Sequence, residues 1–377
     1  MTAHAFTNGH IVTPGGVLDQ ATIQVAQGRI AAILPDAQAN ETIDLDGGWL
    51  VPGFIDTQVN GGAGVLFNDA PDVEGIAAIG RAHARFGTTG FLPTLISDVP
   101  EVIARALDAA EAAIEAGVPG CIGVHIEGPI ISVTRKGIHD ADKFRLLDAD
   151  LLAPLTRPRR GKVMLTLAPE MVSLEDIRRL HDAGVILSIG HSDASYDVVK
   201  AAIAAGMTGV THLFNAMSPL LHRAPGVVGA ALEDQSIYCG LILDGFHVHD
   251  APVRIAMRAR PHDRFMLVTD AMPCVGAEVA EFDLHGRRIL VDGGRCLGED
   301  GTLAGSALDM AGAFRNAVNR IGLSHADAAI MAATSPAAFL GLSDERGALA
   351  PGLVADWVQL TRDLEPAGTW IAGTRIA

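Results

Sequence analysis

Four hydrophobic runs in this chain of 377 residues end in side chains that bind metals or move protons. Residues 209–217, GVTHLFNAM, carry His212 inside an apolar stretch; residues 186–192 end in Gly190-His191-Ser192. Residues 121–128 end in His125-Ile126-Glu127-Gly128, and residues 265–271 end in Thr269-Asp270-Ala271. One histidine in such a run is ordinarily a hydrogen-bonded core residue. Four such endings ask for a common cause. Strands whose same ends converge on one site supply it, and that site would do metal or acid–base chemistry.

Strands of this kind recur from Trp49 onward. Apolar runs at 50–59, 88–95, 121–127, 163–168, 185–190, 209–214, 238–243 and 265–269 alternate with Ala-rich stretches of helical composition at 73–86, 99–116, 174–183, 194–205 and 251–259. The runs are continuously apolar, as strands buried on both faces must be. Eight strands with crossover segments predict an α/β fold, a (β/α)8 TIM-type barrel whose chemistry sits at the strand C-termini. On that count Glu127, His191, His212 and Asp270 end the third, fifth, sixth and eighth strands. A doubly wound open sheet is the other candidate, but no Gly-x-Gly-x-x-Gly follows the first strand. Residues 1–50 read as short strands and turns, with Asn8-Gly9 and Gln27-Gly28 as turn pairs. The tail at 356–376 is expected to rejoin them. The expected organisation is a discontinuous β-sandwich domain from 1–50 plus 350–377, with the barrel at 51–349 inserted in it. Residues 271–305 read as an insertion with a hairpin over the barrel mouth, and helical composition returns at 307–321 and 325–338.

Composition bounds the function. Hydrophobic residues make up 49% of the chain and charged residues 19%, enough for a large core. The formal net charge of −16 argues against nucleic acid and against anionic membranes as partners. The first residues lack a basic region followed by a long apolar stretch, and no run approaches the roughly 20 apolar residues that span a bilayer. Cys121, Cys239, Cys274 and Cys296 show no close paired spacing. They read as reduced thiols of a cytoplasmic protein, with neither a disulfide framework nor a thiolate zinc site.

The motifs together resemble the amidohydrolase superfamily and, within it, the family of N-acetylglucosamine-6-phosphate deacetylases. The resemblance rests on Pro52-Gly53-Phe54-Ile55-Asp56, His125-Ile126-Glu127-Gly128-Pro129, Lys136-Gly137-Ile138-His139, Gly190-His191-Ser192 and Thr211-His212-Leu213-Phe214-Asn215-Ala216-Met217. It continues through Arg223-Ala224-Pro225-Gly226, Asp244-Gly245-Phe246-His247, Val268-Thr269-Asp270-Ala271 and the closing Pro351-Gly352-Leu353-Val354-Ala355-Asp356. It covers essentially the whole chain in order, and the Thr-His-Leu-Phe-Asn-Ala-Met string is its most specific part. Many superfamily members carry His-x-His after the first strand. Here Gln58 and Asn60 stand there, which resembles the one-metal deacetylases.

Glu127, His191 and His212 offer one carboxylate and two imidazoles, a three-ligand set for a single divalent ion, best matched to zinc, with positions left for water and substrate. Such an ion lowers the pKa of its water to about 7. Asp270 is placed to take that water's proton and deliver it to the leaving amine. The resemblance further implies that His139 faces the acetamide carbonyl and that His247, rather than His249, meets a sugar hydroxyl. It assigns Arg223, with the backbone at Asn215 and Ala216, to the phosphate; the family's arginine reaches in from a neighbouring subunit, so a homodimer is implied. Gln58 and Asn60 would orient the water or fill the space of a second ion. Gly61-Gly62-Ala63-Gly64 reads as room beside the ligand, since no Lys-Ser/Thr follows to make a phosphate loop. The implied reaction is hydrolysis of N-acetylglucosamine 6-phosphate to glucosamine 6-phosphate and acetate. Alternatives are N-acetylgalactosamine 6-phosphate, another N-acyl substrate, or a non-catalytic scaffold of the same fold.

Overall fold

A computed structural model describes residues 2–35 and 37–377. Eight parallel strands form one sheet in chain order: β1 (Phe54–Val59), β2 (Thr88–Ile96), β3 (Gly123–Glu127), β4 (Lys162–Leu167), β5 (Ile186–Ile189), β6 (Gly209–Val210), β7 (Tyr238–Leu241) and β8 (Phe265–Leu267). Every residue of β1 and β2 is buried, including the polar Asp56, Thr57 and Gln58 of β1, as strands covered on both faces require. The ring is drawn together where β1 and β8 meet: Asp270 N donates to Gln58 O at 3.0 Å, and a parallel bridge links Val59 to Ala271. Helices fill the crossovers: α1 (Val73–Ala84), α2 (Pro100–Glu115), α3 (Ala149–Thr156), α4 (Leu174–Asp182), α5 (Tyr196–Ala204), α6 (Gly226–Glu233), α7 (Asp250–Ala259) and α8 (Met310–Asn316). Side-chain oxygens of Asp72, Asp148, Ser173, Ser195 and Asp309 cap α1, α3, α4, α5 and α8, satisfying N–H groups that have no partner within the helix. The fold is the (β/α)8 barrel that the alternation of runs predicts.

Several boundaries differ from the sequence reading. The run at 209–214 stays in the sheet for only two residues, because His212 (φ 33°) and Phe214 (φ 82°) turn left-handed and carry the chain out of the ladder. Helices α3 and α6 have no counterpart among the expected stretches. Pro154 sits inside α3, and α6 starts at a glycine, so neither presents an ordinary helix signature. The insertion is a four-stranded antiparallel sheet of Glu281–Leu284, Arg287–Asp292, Arg295–Gly298 and Leu303–Ser306 rather than one hairpin. Its two-residue turns, His285-Gly286 and Gly293-Gly294, all have positive φ, the geometry that twists with the flanking strands. Leu284, Ile289, Cys296 and Ala304 of this lid sheet pack with Met272, Leu66 and Ile96 in a small core of their own.

Outside the barrel, Trp357–Leu360 from the tail pairs antiparallel with Trp49–Pro52 from the head, inside a six-stranded sheet that draws on both ends of the chain. A second sheet, of four strands, comes from residues 2–44. Phe6, Ile11, Ile23, Leu50, Trp357 and Trp370 share a core separate from that of the barrel.

Gly61 and Gly62 serve packing rather than ligand space. A Cβ on Gly61 would lie 2.4 Å from Val65 O, and one on Gly62 would lie 3.1 Å from the His83 ring. His83, fully buried on α1, donates from Nε2 to Gly61 O at 2.9 Å, and its Nδ1 has no partner among the described residues. Burial lowers its pKa from 6.5 to about 4. Between those values the unfolded chain binds a proton that the folded chain refuses, so the stability contributed by neutral His83 is full above about pH 6.5 and is lost as pH falls towards 4. Urea unfolding from pH 7 to pH 4 is expected to show this as an acid limb worth up to about 3 kcal/mol that flattens in His83→Gln relative to wild type. Parallel acid limbs in the two proteins would exclude His83 as the titrating group.

Candidate active site

The C-terminal ends of the barrel strands and the lid enclose a cavity of about 310 Å3, within the usual range for small-ligand sites. Asn60, Glu127, His139, His191, His212, Asn215, Ala216, His247 and Asp270 border it, while Met272, Leu284 and residues 302–305 close the lid side. Gln58 lies just behind this surface and Arg223 outside it.

Glu127 ends β3 with its carboxylate buried. His191 Nε2 is 3.1 Å from Glu127 Oε1, His212 Nε2 is 2.9 Å from the same oxygen, and the two imidazole nitrogens are 3.1 Å apart. Both histidines adopt positive φ, 48° and 33°, the left-handed turn that aims side chains following β5 and β6 at the barrel axis. Burial opposes ionisation of Glu127, but the close contacts with His191 and His212 outweigh it and hold its pKa well below the ordinary value. Three donor atoms 2.9–3.1 Å apart nearly match the face of a tetrahedral zinc site, where bonds of about 2.0–2.1 Å give edges of about 3.3 Å. His191 Nδ1 lies 2.9 Å from Arg135 O and must donate to it, which leaves Nε2 as the lone-pair nitrogen facing Glu127. Two imidazole nitrogens that face each other and one carboxylate oxygen cannot all be satisfied by protons alone; a cation between them satisfies all three. The residues therefore fit a divalent ion.

His139 is the fourth titratable group of this cluster, with a ligand-type atom within 4.8 Å of Glu127 and His191. Its Nδ1 is 2.8 Å from Ser97 Oγ and 3.4 Å from Ser97 N. A backbone N–H only donates, so Nδ1 accepts and the ring proton resides on Nε2. Burial, reinforced by the neighbouring His191, keeps His139 neutral with a pKa well below 6.5. A neutral ring with its proton on Nε2 acts as a hydrogen-bond donor rather than as a ligand.

Asp270 follows β8 at φ 54°. Burial, and then the neighbouring Glu127 charge, raise its pKa to about 6. Asn60 Nδ2 donates to Asp270 Oδ1 at 2.6 Å. Gln58 Nε2 lies 3.1 Å from Asp270 Oδ1 and 3.1 Å from Glu127 Oε2, bridging the two carboxylates. Both amides thus present N–H groups to acids. His247, on the loop after β7, donates from Nδ1 to Asp244 Oδ2 at 2.6 Å, leaving Nε2 for the cavity. Burial of Asp244 is outweighed by this bond, which lowers the carboxyl pKa. Asn215 commits its backbone N–H to His212 O at 2.9 Å and its side-chain amide to His212 O and Leu213 O. Of the two backbone groups expected to meet an anion, only the Ala216 N–H remains unengaged among the described residues. Arg223 is exposed without an ion-pair partner among the described residues, in an adjoining depression that shares Arg135 with the cavity.

Several positioning residues were given no role by the sequence, although Asp56, His125, Thr211 and Thr269 fall within the motifs that carry the resemblance. Asp56, buried with its pKa raised to about 7 by that burial, accepts from Thr269 Oγ1 at 2.5 Å and from Gln58 N at 3.1 Å, joining β1 to the end of β8. His125 is held neutral by burial between Thr94 and Thr166. A hydroxyl chain continues from Thr166 to Thr211 and Ser188 in steps of 2.7 Å. Ser97 and Arg135 act through the bonds described above. A hydroxyl at a strand end or in a loop is common, and only the fold shows which ones face the site.

The family description "Amidohydrolase family" fits residues 49–376. An N-acetylgalactosamine-6-phosphate deacetylase from Shewanella is 42% identical over 96% of this chain and 93% of its own length. The crystal structure of an N-acetylglucosamine-6-phosphate deacetylase from Pasteurella multocida superposes with a TM-score of 0.95 at 34% identity, covering 99% of each chain. A mutant of the Mycobacterium smegmatis N-acetylglucosamine-6-phosphate deacetylase, in complex with N-acetylglucosamine 6-phosphate, superposes with a TM-score of 0.92 at 32% identity over 100% of each chain. The chain belongs to the amidohydrolase family. Within that family it stands among the deacetylases of phosphorylated N-acetyl amino sugars.

Replacing Ser97 with alanine removes the hydroxyl that orients His139. The expected result is a loss of about 10-fold in kcat with KM nearly constant, largely restored by Ser97→Thr. Steady-state kinetics of the two variants, with folding checked by circular dichroism, makes the comparison. An equal loss in both variants would point to packing instead.

Proposed function

We propose that this chain hydrolyses the acetamide of N-acetylglucosamine 6-phosphate, releasing glucosamine 6-phosphate and acetate. The observation that carries the reading is the bridging amide of Gln58. It sets the carboxyl of Asp270, an acid with a raised pKa, beside the Glu127–His191–His212 triangle in one cavity. Glu127, His191 and His212 would hold one divalent ion, zinc by the nature of the donors, and such an ion supplies Lewis acidity towards the amide carbonyl and the attacking water. Asp270 accepts a proton from the water as it adds to the carbonyl carbon. It then returns that proton to the nitrogen as the C–N bond breaks, since an amide nitrogen leaves readily only when protonated. His139, with its proton on Nε2, donates to the carbonyl oxygen as negative charge develops there. His247 Nε2 contacts a sugar hydroxyl. The Ala216 N–H, the Asn215 turn and Arg223 receive the phosphate. Gln58 and Asn60 hold the two carboxylates apart and occupy the ground a second ion would need, which supports one ion per chain.

A homodimer follows from the same reading. Arg223 lies outside the cavity of its own chain, on a loop with two exposed leucines, Leu220 and Leu221, each 55% exposed. An arginine presented beside apolar surface suits a subunit contact that carries it into the neighbour's cavity.

The Shewanella relative favours a second reading, N-acetylgalactosamine 6-phosphate, as substrate. The two sugars differ only in the configuration at C4, remote from the acetamide, and the catalytic groups serve both. An amine-release assay on both phosphosugars and their unphosphorylated forms, with metal content measured on the same sample, tests the proposal. The expected result is turnover of a phosphosugar with one ion per chain; no release from either would end it, and the ratio of kcat/KM assigns the epimer.

Asp270→Asn is expected to retain metal and substrate binding while kcat falls by roughly 10²–10⁴-fold; near-normal turnover would take Asp270 out of the mechanism. Arg223→Ala is expected to raise KM for the phosphorylated sugar by about 30-fold or more, with little change for the unphosphorylated one. Mixing Arg223→Ala with Asp270→Asn subunits should regenerate activity if the arginine acts across the dimer, because a mixed dimer contains one site with both residues intact.

A further inference from the structure

Cys274 and Cys296 lie 22 positions apart, yet their sulfurs are 3.7 Å apart, and both thiols are free. Cys296 is fully buried in the lid strand Arg295–Gly298. Cys274 is partly exposed, in the segment that leads from Asp270 to the lid. That segment is fixed to the loop after β1: Gly64 N donates to Pro273 O and Ala63 N to Val275 O, both at 2.8 Å. The two sulfurs therefore face each other across the seam between the barrel and its cover. The cover carries Leu284 and residues 302–305 into the cavity, and Met272 lines it two positions before Cys274.

We propose that Cys274 and Cys296 form a reversible disulfide site, closed by a hydroperoxide, that ties the lid sheet to the barrel loop beside Asp270. The sulfurs need only side-chain rotation to approach from 3.7 Å to the roughly 2.05 Å of the bond. Cys274 is the attacking thiol because it is the exposed one, and the hydrogen bond with Cys296 lowers its pKa while raising that of its partner. Its thiolate attacks one oxygen of the hydroperoxide and breaks the O–O bond. This gives a sulfenic acid and, after proton uptake, water or an alcohol. The Cys296 sulfur then attacks the sulfenic sulfur, the S–O bond breaks and water leaves. Two thiols lose two electrons and two protons, and the peroxide bond takes up the electrons. Cys121 and Cys239 do not compete: both are buried, and burial pushes their thiols up to about 12 and about 11.

The test treats the full-length reduced protein with hydrogen peroxide and counts thiols after denaturation. The count is expected to fall from four to two. Peptide mapping should recover a linked peptide joining Cys274 to Cys296 within one chain, lighter by two hydrogens and cleaved by dithiothreitol. Backbone-amide exchange across residues 281–306 should slow in the oxidised form and recover on reduction. Cys274→Ser should abolish the link and leave Cys296 unmodified. Cys296→Ser should leave Cys274 as a sulfenic acid that a dimedone probe captures. A thiol count that stays at four, a link found only between two chains, or an unlinked Cys274 oxidised to sulfinic acid in the wild type would overturn the proposal. Unchanged exchange in the linked protein would overturn the tethering of the lid.

Discussion

A carboxylate buried at the end of β3 is the constraint to which the rest of the site answers. Leaving Glu127 ionised in a closed barrel costs several kcal/mol unless donors or a cation surround it. The chain meets that cost from three directions. His191 and His212 leave their strands through left-handed turns and present Nε2 to one carboxylate oxygen, while Gln58 donates its amide to the other. A strand ladder points alternate side chains to opposite faces, so a ligand directly on β5 or β6 would be fixed by the register. Placing the ligands just after the strands frees them from it, but leaves strained φ values that the surrounding packing must hold.

Asp270 depends on the same arrangement from the other side. Its raised pKa comes from burial first and from the Glu127 charge second, so the metal-type centre also sets the proton affinity of the group beside it. Asn60 and Gln58 keep the two acids from collapsing onto each other or drifting apart. Asp56 and Thr269 pin the seam of the barrel from which these residues project. The amides at Gln58 and Asn60 therefore have structural and electrostatic roles at positions where an imidazole pair would instead coordinate.

The lid belongs to the same logic. Its sheet comes from one insertion directly after β8, so the element that covers the cavity is continuous in sequence with Asp270. The backbone at Ser306 bonds back to residues 270 and 272, which roots the cover beside the chemistry. The small apolar core beneath it, built on Met272, Leu284 and Ile289, excludes water from one side of the cavity. Arg135 borders both the cavity and the adjoining depression that holds Arg223.

The sequence alone determined the barrel, because strands buried on both faces must read as apolar runs and crossover helices must separate them. It also singled out Glu127, His191, His212 and Asp270, which border the cavity, as well as Gln58 and Arg223, which do not. Glu, His and Asp at the ends of such runs can converge only at the C-terminal face, and the Thr-His-Leu-Phe-Asn-Ala-Met string fixed the family. Propensity could not tell where β6 stops, since Val210 through Phe214 are good strand formers and only the pull of His212 towards Glu127 ends the ladder after two residues. It could not separate the Asn215 and Ala216 amides either, because which N–H a turn consumes is a matter of tertiary geometry. The roles of Ser97, Arg135 and Asp56 and the pairing of the Cys274 and Cys296 sulfurs were invisible for one shared reason. Each acts through a partner distant in sequence, and contacts of that kind exist only once the barrel has closed and the lid has folded back over it.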